Sequence, residues 1–219
     1  MLRNKFDKQL ETLNLELVHM GALVERAIDD SAKALIDQNL ELAHQVITQE
    51  RGIDALKNEI ESKALKILLT QQPVARDLRT ISAALKIITD LERIGDQARD
   101  LCDIVIALYE EEYQPKLEIL PQMAELSRVM VRDSVDSFVK QDIVLAKKVI
   151  ETDDKMDELF SQLKKKMIKM LKTKSDHADQ MIYFLMAGKY LEKIGDHAEN
   201  IAQWVIFAKT GERKSVKIL

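Results

Sequence analysis

LERIGD, residues 91–96, returns at 191–196 as LEKIGD, and this recurrence decides the architecture. Around it, Leu85–Leu101 matches Leu185–Ile201 at an offset of 100, with seven identities in 17 positions. Upstream, Asp30–Leu56 matches Asp133–Leu159 at an offset of 103, with nine identities in 27, among them Asp30/Asp133, Ser31/Ser134, Gln38/Gln141 and Asp54/Asp157. The two halves therefore repeat one unit. The three-residue loss falls between the blocks, where QQPVARDLR (71–79) is answered by a shorter stretch near KSDHADQ (174–180). Length changes belong in loops, so this marks a helix connection.

Composition says what the unit is made of. Only six glycines and three prolines occur in 219 residues, so few tight turns are available, and 46% hydrophobic content is enough for a sizeable core. Leu, Ile and Ala dominate the apolar set and aromatics are 5%, which suits packed helices better than strands. Asn39 and Asp142, at matching positions, read as helix N-caps; Pro73 stops a helix; Pro115 and Pro121 bracket the joint between halves. Helices are expected near 3–37, 40–70, 76–112, 118–140, 143–172 and 178–209. The fold class is all-α, two tandem three-helix bundles related by the internal repeat. The halves divide as 1–116 and 117–219, and an approximate twofold between them is expected.

The charges exclude several classes of function. A net charge of −4 offers no general reason to bind nucleic acid. The longest apolar run, Met181–Gly188, is far short of the ~20 residues that cross a bilayer, and MLRNKFDKQL lacks a signal-peptide core. One cysteine, Cys102, permits no internal disulfide. The expectation is a cytoplasmic protein.

On a helical wheel the third helix places Leu91, Gly95, Ala98 and Cys102 in its apolar stripe, with Glu92, Asp96, Arg99 and Asp103 immediately beside it rather than on the outward face. The second helix sets Glu50, Asp54 and Glu61 beside Ile53, Leu56 and Ile60. Both use acid-x-x-x-Asp, two carboxylates one turn apart on one face, and the second half answers with Asp153/Asp157 and Glu192/Asp196. Like charges at this spacing repel, so something must neutralise them. One neutraliser is a salt-bridge network through Arg93, Arg99, Lys57 or Lys193, which describes a structural helical adaptor. The other is a cation: carboxylates from neighbouring helices present hard oxygens suited to Mg, Mn, Ca or an iron cluster. Recurrence of the acids weighs toward the cation, and spacing alone leaves both open. Gly95 and Gly195 would let a neighbouring helix or ligand approach closely.

Other motifs carry less. Glu16/His19 and Glu41/His44 have di-iron spacing, but both histidines point away from the apolar stripes, and their counterparts are Gln122 and Lys147. His197 is read as surface and His177 as loop. Cys102 is read as a buried thiol. No phosphate loop, nucleophile elbow or dinucleotide fingerprint is present. A carboxylate-bridged metalloenzyme has no named substrate, and the expectation is a non-enzyme. The run Lys164, Lys165, Lys166, Lys169, Lys172 and Lys174 lacks interleaved aromatics and reads as a solvated face rather than a nucleic-acid site. MIYFLMAGKY, apolar nearly all round, implies a helix buried on several sides or touching another chain.

QQPVARDLR leading into DLERIGDQARD, with YLEKIGDHAENIA in the second half and the helix order throughout, resembles the PhoU family of bacterial phosphate-transport accessory and regulatory proteins. The resemblance covers essentially the whole chain. It implies two three-helix bundles and metal ions at the motif acids, in some members as multinuclear iron clusters. By position the ligands would be Glu50, Asp54, Glu92 and Asp96 in one half and Asp153, Asp157, Glu192 and Asp196 in the other. Iron, zinc, magnesium, manganese and calcium are all candidates. Arg99 and Asp103 become Glu199 and Gln203, so the two sites need not hold the same ions. The resemblance further implies a homodimer that senses or restrains phosphate uptake by contact with the ATP-binding subunit of the phosphate ABC transporter, and with a sensor histidine kinase.

Overall fold

The computed structural model describes residues 2–71, 73–110, 112–113, 118–172, 177–213 and 216–217. Six helices follow in order: α1 (Leu2–Asp37), α2 (Leu40–Gln71), α3 (Ala75–Ala107), α4 (Ile119–Lys140), α5 (Ile143–Leu171) and α6 (Ala178–Thr210). A minimal antiparallel hairpin pairs β1 (Glu212–Arg213) with β2 (Val216–Lys217). It begins where Gly211, at φ 82°, ends α6 in a left-handed conformation. The expected boundary between 116 and 117, Pro115 and Lys174 lie outside the described residues.

Punctuation in the sequence acts as expected at the first turn of each bundle. Gln38 and Gln141, identical in the repeat, both take φ 51°. The next amides close a Schellman-type bond, Asn39 N–H to the Ala34 carbonyl and Asp142 N–H to the Ser137 carbonyl, each at 2.9 Å. Those same residues then cap the following helices. Asn39 Oδ1 accepts from the Leu42 amide at 2.9 Å, and Asp142 Oδ1 accepts from Val144 and Leu145. The Ser31 and Ser134 hydroxyls, both fully buried, bond back to the carbonyls of Ile28 and Val131. Helix α3 stops at Ala107 rather than at 112. Leu108 leaves helical geometry there, and the acidic run that follows would oppose the negative end of the helix dipole.

Within each half the three helices pack against one another, and two further seams join the halves, α1 on α4 and α3 on α6. Each joining helix meets its own repeat counterpart, as an approximate twofold requires. Buried side chains from all six helices form one continuous core. Helix α6 is covered on three sides, by α3, α4 and α5, which explains the nearly all-round apolar stretch MIYFLMAGKY. The α3/α6 pair runs antiparallel, since Asp90 meets His197 while Gln180 donates to the Glu112 carbonyl. Residues 94 and 194 therefore lie near the middle of the seam, and the acids of both halves come to the same level of the molecule.

Glycine matters most where α5 meets α6. A Cβ on Gly188 would stand 2.1 Å from Leu163 Cδ2, a side chain that is itself buried. Gly188→Val is expected to lower stability by about 1–3 kcal/mol through overpacking. Asp142→Ala, which removes a cap with two bonds, is expected to cost about 1 kcal/mol. Urea unfolding followed by circular dichroism measures both.

Candidate metal centre

In the first half, α2 and α3 bring Glu50 and Asp96 into side-chain contact, with Arg99 Nη1 3.5 Å from Glu50 Oε1. Glu50 is 7% exposed, because the apolar stripe carrying Val46, Ile53 and Ile60 holds it against the core. Burial raises its carboxyl above the usual range; the neighbouring Asp54 and Asp96 add to the rise and Arg99 opposes it. Glu92 faces Lys57, at 3.9 Å, and Lys57 also reaches Glu61 at 3.4 Å. Arg93 bonds Asp96 at 3.1 Å.

The second half keeps the acids and changes their company. Asp153 and Asp157 come from α5, Glu192 and Asp196 from α6. Gly195 lets α5 approach: a Cβ there would be 3.2 Å from both Asp153 Oδ1 and Met156 Cγ. Asp153 Oδ1 is buried with no hydrogen-bond partner among the described residues. Burial first, then the charges of Glu199, Asp196, Asp157 and Glu192, push the Asp153 pKa up to about 7. Glu192 is buried and held by Lys189 at 2.5 Å; Asp196 is held by Lys193 at 2.5 Å; Asp157 stands exposed at the rim.

The expected pairs thus sit on adjacent helices in both halves. Among the described residues, no three His, Cys, Asp or Glu side chains are gathered around a common point as a ligand set. Lysine and arginine heads lie over the carboxylates instead. In chemical type the donors are those a hard cation takes, every one an oxygen and one of them buried and unsatisfied, although their placement does not gather three around one point.

Two residues take on roles the sequence did not assign. Glu199 stands where the first half has Arg99, so a fifth acid replaces a cation, and it is the largest single charge acting on Asp153. The repeat comparison already held that signal. His197, expected at the surface, is half-buried, with Nδ1 2.9 Å from Asp90 Oδ1 across the α3/α6 seam. The wheel measured its direction only against its own bundle, and the second bundle covers that side. The exposed placement of His19 and His44 agrees with their expected outward direction. Cys102 is buried, and its thiol is pushed up to about 12.

Asp153 titrates near neutrality in the folded chain but near about 4 when unfolded, so the native state holds more protons between those values. Stability must then fall as pH rises through that window, with the full cost present above about pH 7. In chelator-treated protein, the urea midpoint should decline between about pH 5 and pH 8. Asp153→Asn should flatten the decline; an unchanged slope would place the proton elsewhere.

Comparison with known proteins agrees with this architecture. A family profile described as the PhoU domain matches residues 17–105 and 120–205, once per bundle. The chain is 34% identical over 214 residues to a phosphate-specific transport system accessory protein PhoU homolog from Clostridium acetobutylicum, covering 97% of this chain and 98% of that one. A homolog of the same description from Aquifex aeolicus is 38% identical, covering 95% and 94%. The crystal structure of PhoU from Pseudomonas aeruginosa superposes with a TM-score of 0.91 at 32% identity, covering 94% of this chain and 100% of that one. The phosphate transport system regulatory protein PhoU from Streptococcus pneumoniae superposes at 0.88 with 26% identity, covering 96% and 100%. The chain belongs to the PhoU family.

Proposed function

We propose that this chain is a metal-binding helical regulator of phosphate uptake and phosphate signalling. It acts by contact with the ATP-binding subunit of a phosphate ABC transporter, and in signalling with a sensor histidine kinase. The phosphate role is supported by near-full-length similarity to proteins named as accessory to phosphate-specific transport systems. Among the described residues, no helix is long and apolar enough to cross a membrane, which suits a partner that docks onto a transporter. We place it in the cytoplasm as a homodimer, without nucleic acid and without a catalytic step of its own.

One observation carries the metal assignment: the buried, unpartnered Asp153 oxygen, surrounded by the charges of Asp157, Glu192, Asp196 and Glu199. A cation there would satisfy the Asp153 oxygen, to which no described side chain donates, and would add to the neutralisation that Lys189 and Lys193 give Glu192 and Asp196. It would be held by Asp153, Asp157, Glu192 and Asp196, and in the first half by Glu50, Asp54, Glu92 and Asp96. Iron, zinc, magnesium, manganese and calcium all accept such oxygens. Held by acids of α5 and α6, or of α2 and α3, an ion would supply positive charge between the two helices that carry them.

A second reading has its own support. Arg99 over Glu50, Lys57 at Glu92 and Lys189 over Glu192 are the contacts of a salt-bridged adaptor. Metal analysis of protein purified without chelator separates the two. Glu92→Gln/Asp96→Asn and Asp153→Asn/Asp196→Asn should each lower bound metal by the share of their own half. Equal content in wild type and both variants would leave the adaptor reading. Deletion in the source cell should derange phosphate uptake, and uptake unchanged at low and high phosphate would overturn the transport role.

A further inference from the structure

Helix α5 opens with Lys147 and Lys148, continues through an acidic stretch from Glu151 to Glu158 that holds the single Lys155, and ends in a lysine run. From Leu159 to Lys172 there are five lysines and no acid, in a chain whose net charge is −4. Lys164, Lys165, Lys169 and Lys172 are exposed, and their spacing lays them along one stripe of the last turns. Several lysines elsewhere face a carboxylate, Lys63 with Glu16 and Glu59, Lys140 with Asp136 and Lys148 with Asp133, while others such as Lys66 and Lys86 stand singly rather than in a run. Among the described residues no carboxylate pairs with Lys164, Lys165 or Lys172. Lys164, Lys165 and Lys172 thus present like charge to solvent, a distribution complementary to an anionic surface.

Within that stripe lies an exposed isoleucine, Ile168, 46% accessible. The α5/α6 register, set by Leu163 opposite Gly188 and Met156 opposite Gly195, carries Ile168 to the level of Ile182 on α6, which is 51% accessible. Met186, one turn along, is exposed as well. A purely electrostatic partner has no use for three exposed aliphatic side chains. A lipid headgroup layer uses both, since apolar tips enter the acyl boundary while lysine ammonium groups stay among the phosphates.

We propose that the α5/α6 end of the second bundle is a docking surface for a membrane leaflet rich in anionic lipid. Lys164, Lys165, Lys169 and Lys172 bind phosphate headgroups, and Ile168 and Ile182 insert. The proposal is independent of the carboxylate centre, whose residues lie farther along the same helices. Each lysine that reaches an anionic leaflet multiplies partitioning about fivefold.

Full-length protein is sedimented with vesicles of phosphatidylcholine alone, or mixed equally with phosphatidylglycerol. Binding should need phosphatidylglycerol, weaken with salt and persist with chelator present, so its result is separate from that of the metal analysis. Lys165→Gln/Lys172→Gln should lose about an order of magnitude or more in binding. Lys140→Gln/Lys148→Gln, with the same change in net charge, should lose little. Ile168→Ser, its fold checked by circular dichroism, should weaken binding with all lysines retained. No binding to the mixed vesicles, equal binding to both vesicle types, or equal loss in the two lysine pairs would overturn the proposal. So would Ile168→Ser binding as wild type while polyglutamate displaces the protein from vesicles, an outcome that assigns the stripe to an acidic protein.

Discussion

A carboxylate drawn partly out of water beside other carboxylates must acquire a proton, a basic side chain or a metal ion, and the middle of this molecule is organised by that requirement. The acids sit there because helix periodicity places them against the apolar stripe, and the stripe must be buried. Burial of Val46, Ile53 and Ile60 carries Glu50 inward, and the close approach of α5 at Gly195 does the same for Asp153. Apolar packing sets the position, and the cost falls on the charges.

The halves meet that requirement differently, and one substitution in the repeat accounts for the difference. Arg99 is attached to the fold of the first half and supplies a permanent cation to Glu50. Glu199 takes its place in the second half and adds charge of the opposite sign. Lys189 and Lys193 reach Glu192 and Asp196, yet Asp153 keeps an unsatisfied oxygen. Two copies of one scaffold therefore hold a largely self-neutralised centre and one that depends on a proton or an ion from solution. That inequality gives the second half the greater sensitivity to its surroundings.

How much of this was legible depends on the range of the cause. Helix limits, the two N-caps and the pairing of acids across adjacent helices follow from neighbours within one turn, and Asn39, Asp142 and the paired Glu92/Asp96 motif spell them out. The seam between halves follows from surfaces distant in sequence. His197 shows the limit, because its direction was read correctly relative to its own bundle while the covering partner, Asp90, lies 107 residues away. The overlong third helix failed through electrostatics at a helix end, a term that apolar periodicity does not count. Arg93, Arg99, Lys57 and Lys193, the basic partners the sequence offered, all face carboxylates; which acid each would take could not be read from spacing, since long side chains choose among several within reach.

Long straight helices let one rod carry two opposite potentials without mutual cancellation. On α5 the acids run from Glu151 to Glu158 and the lysines from Lys164 to Lys172. Asp157 and Lys165 are eight residues apart, which at the α-helical rise is about 12 Å, longer than the ~8 Å screening length of a physiological solution. The proposed cation site at the acidic waist and the proposed docking surface at the lysine end can thus act separately, each seeing little of the other's field. A compact fold of the same composition would bring the two blocks together and satisfy them internally, leaving neither available to an ion or a partner.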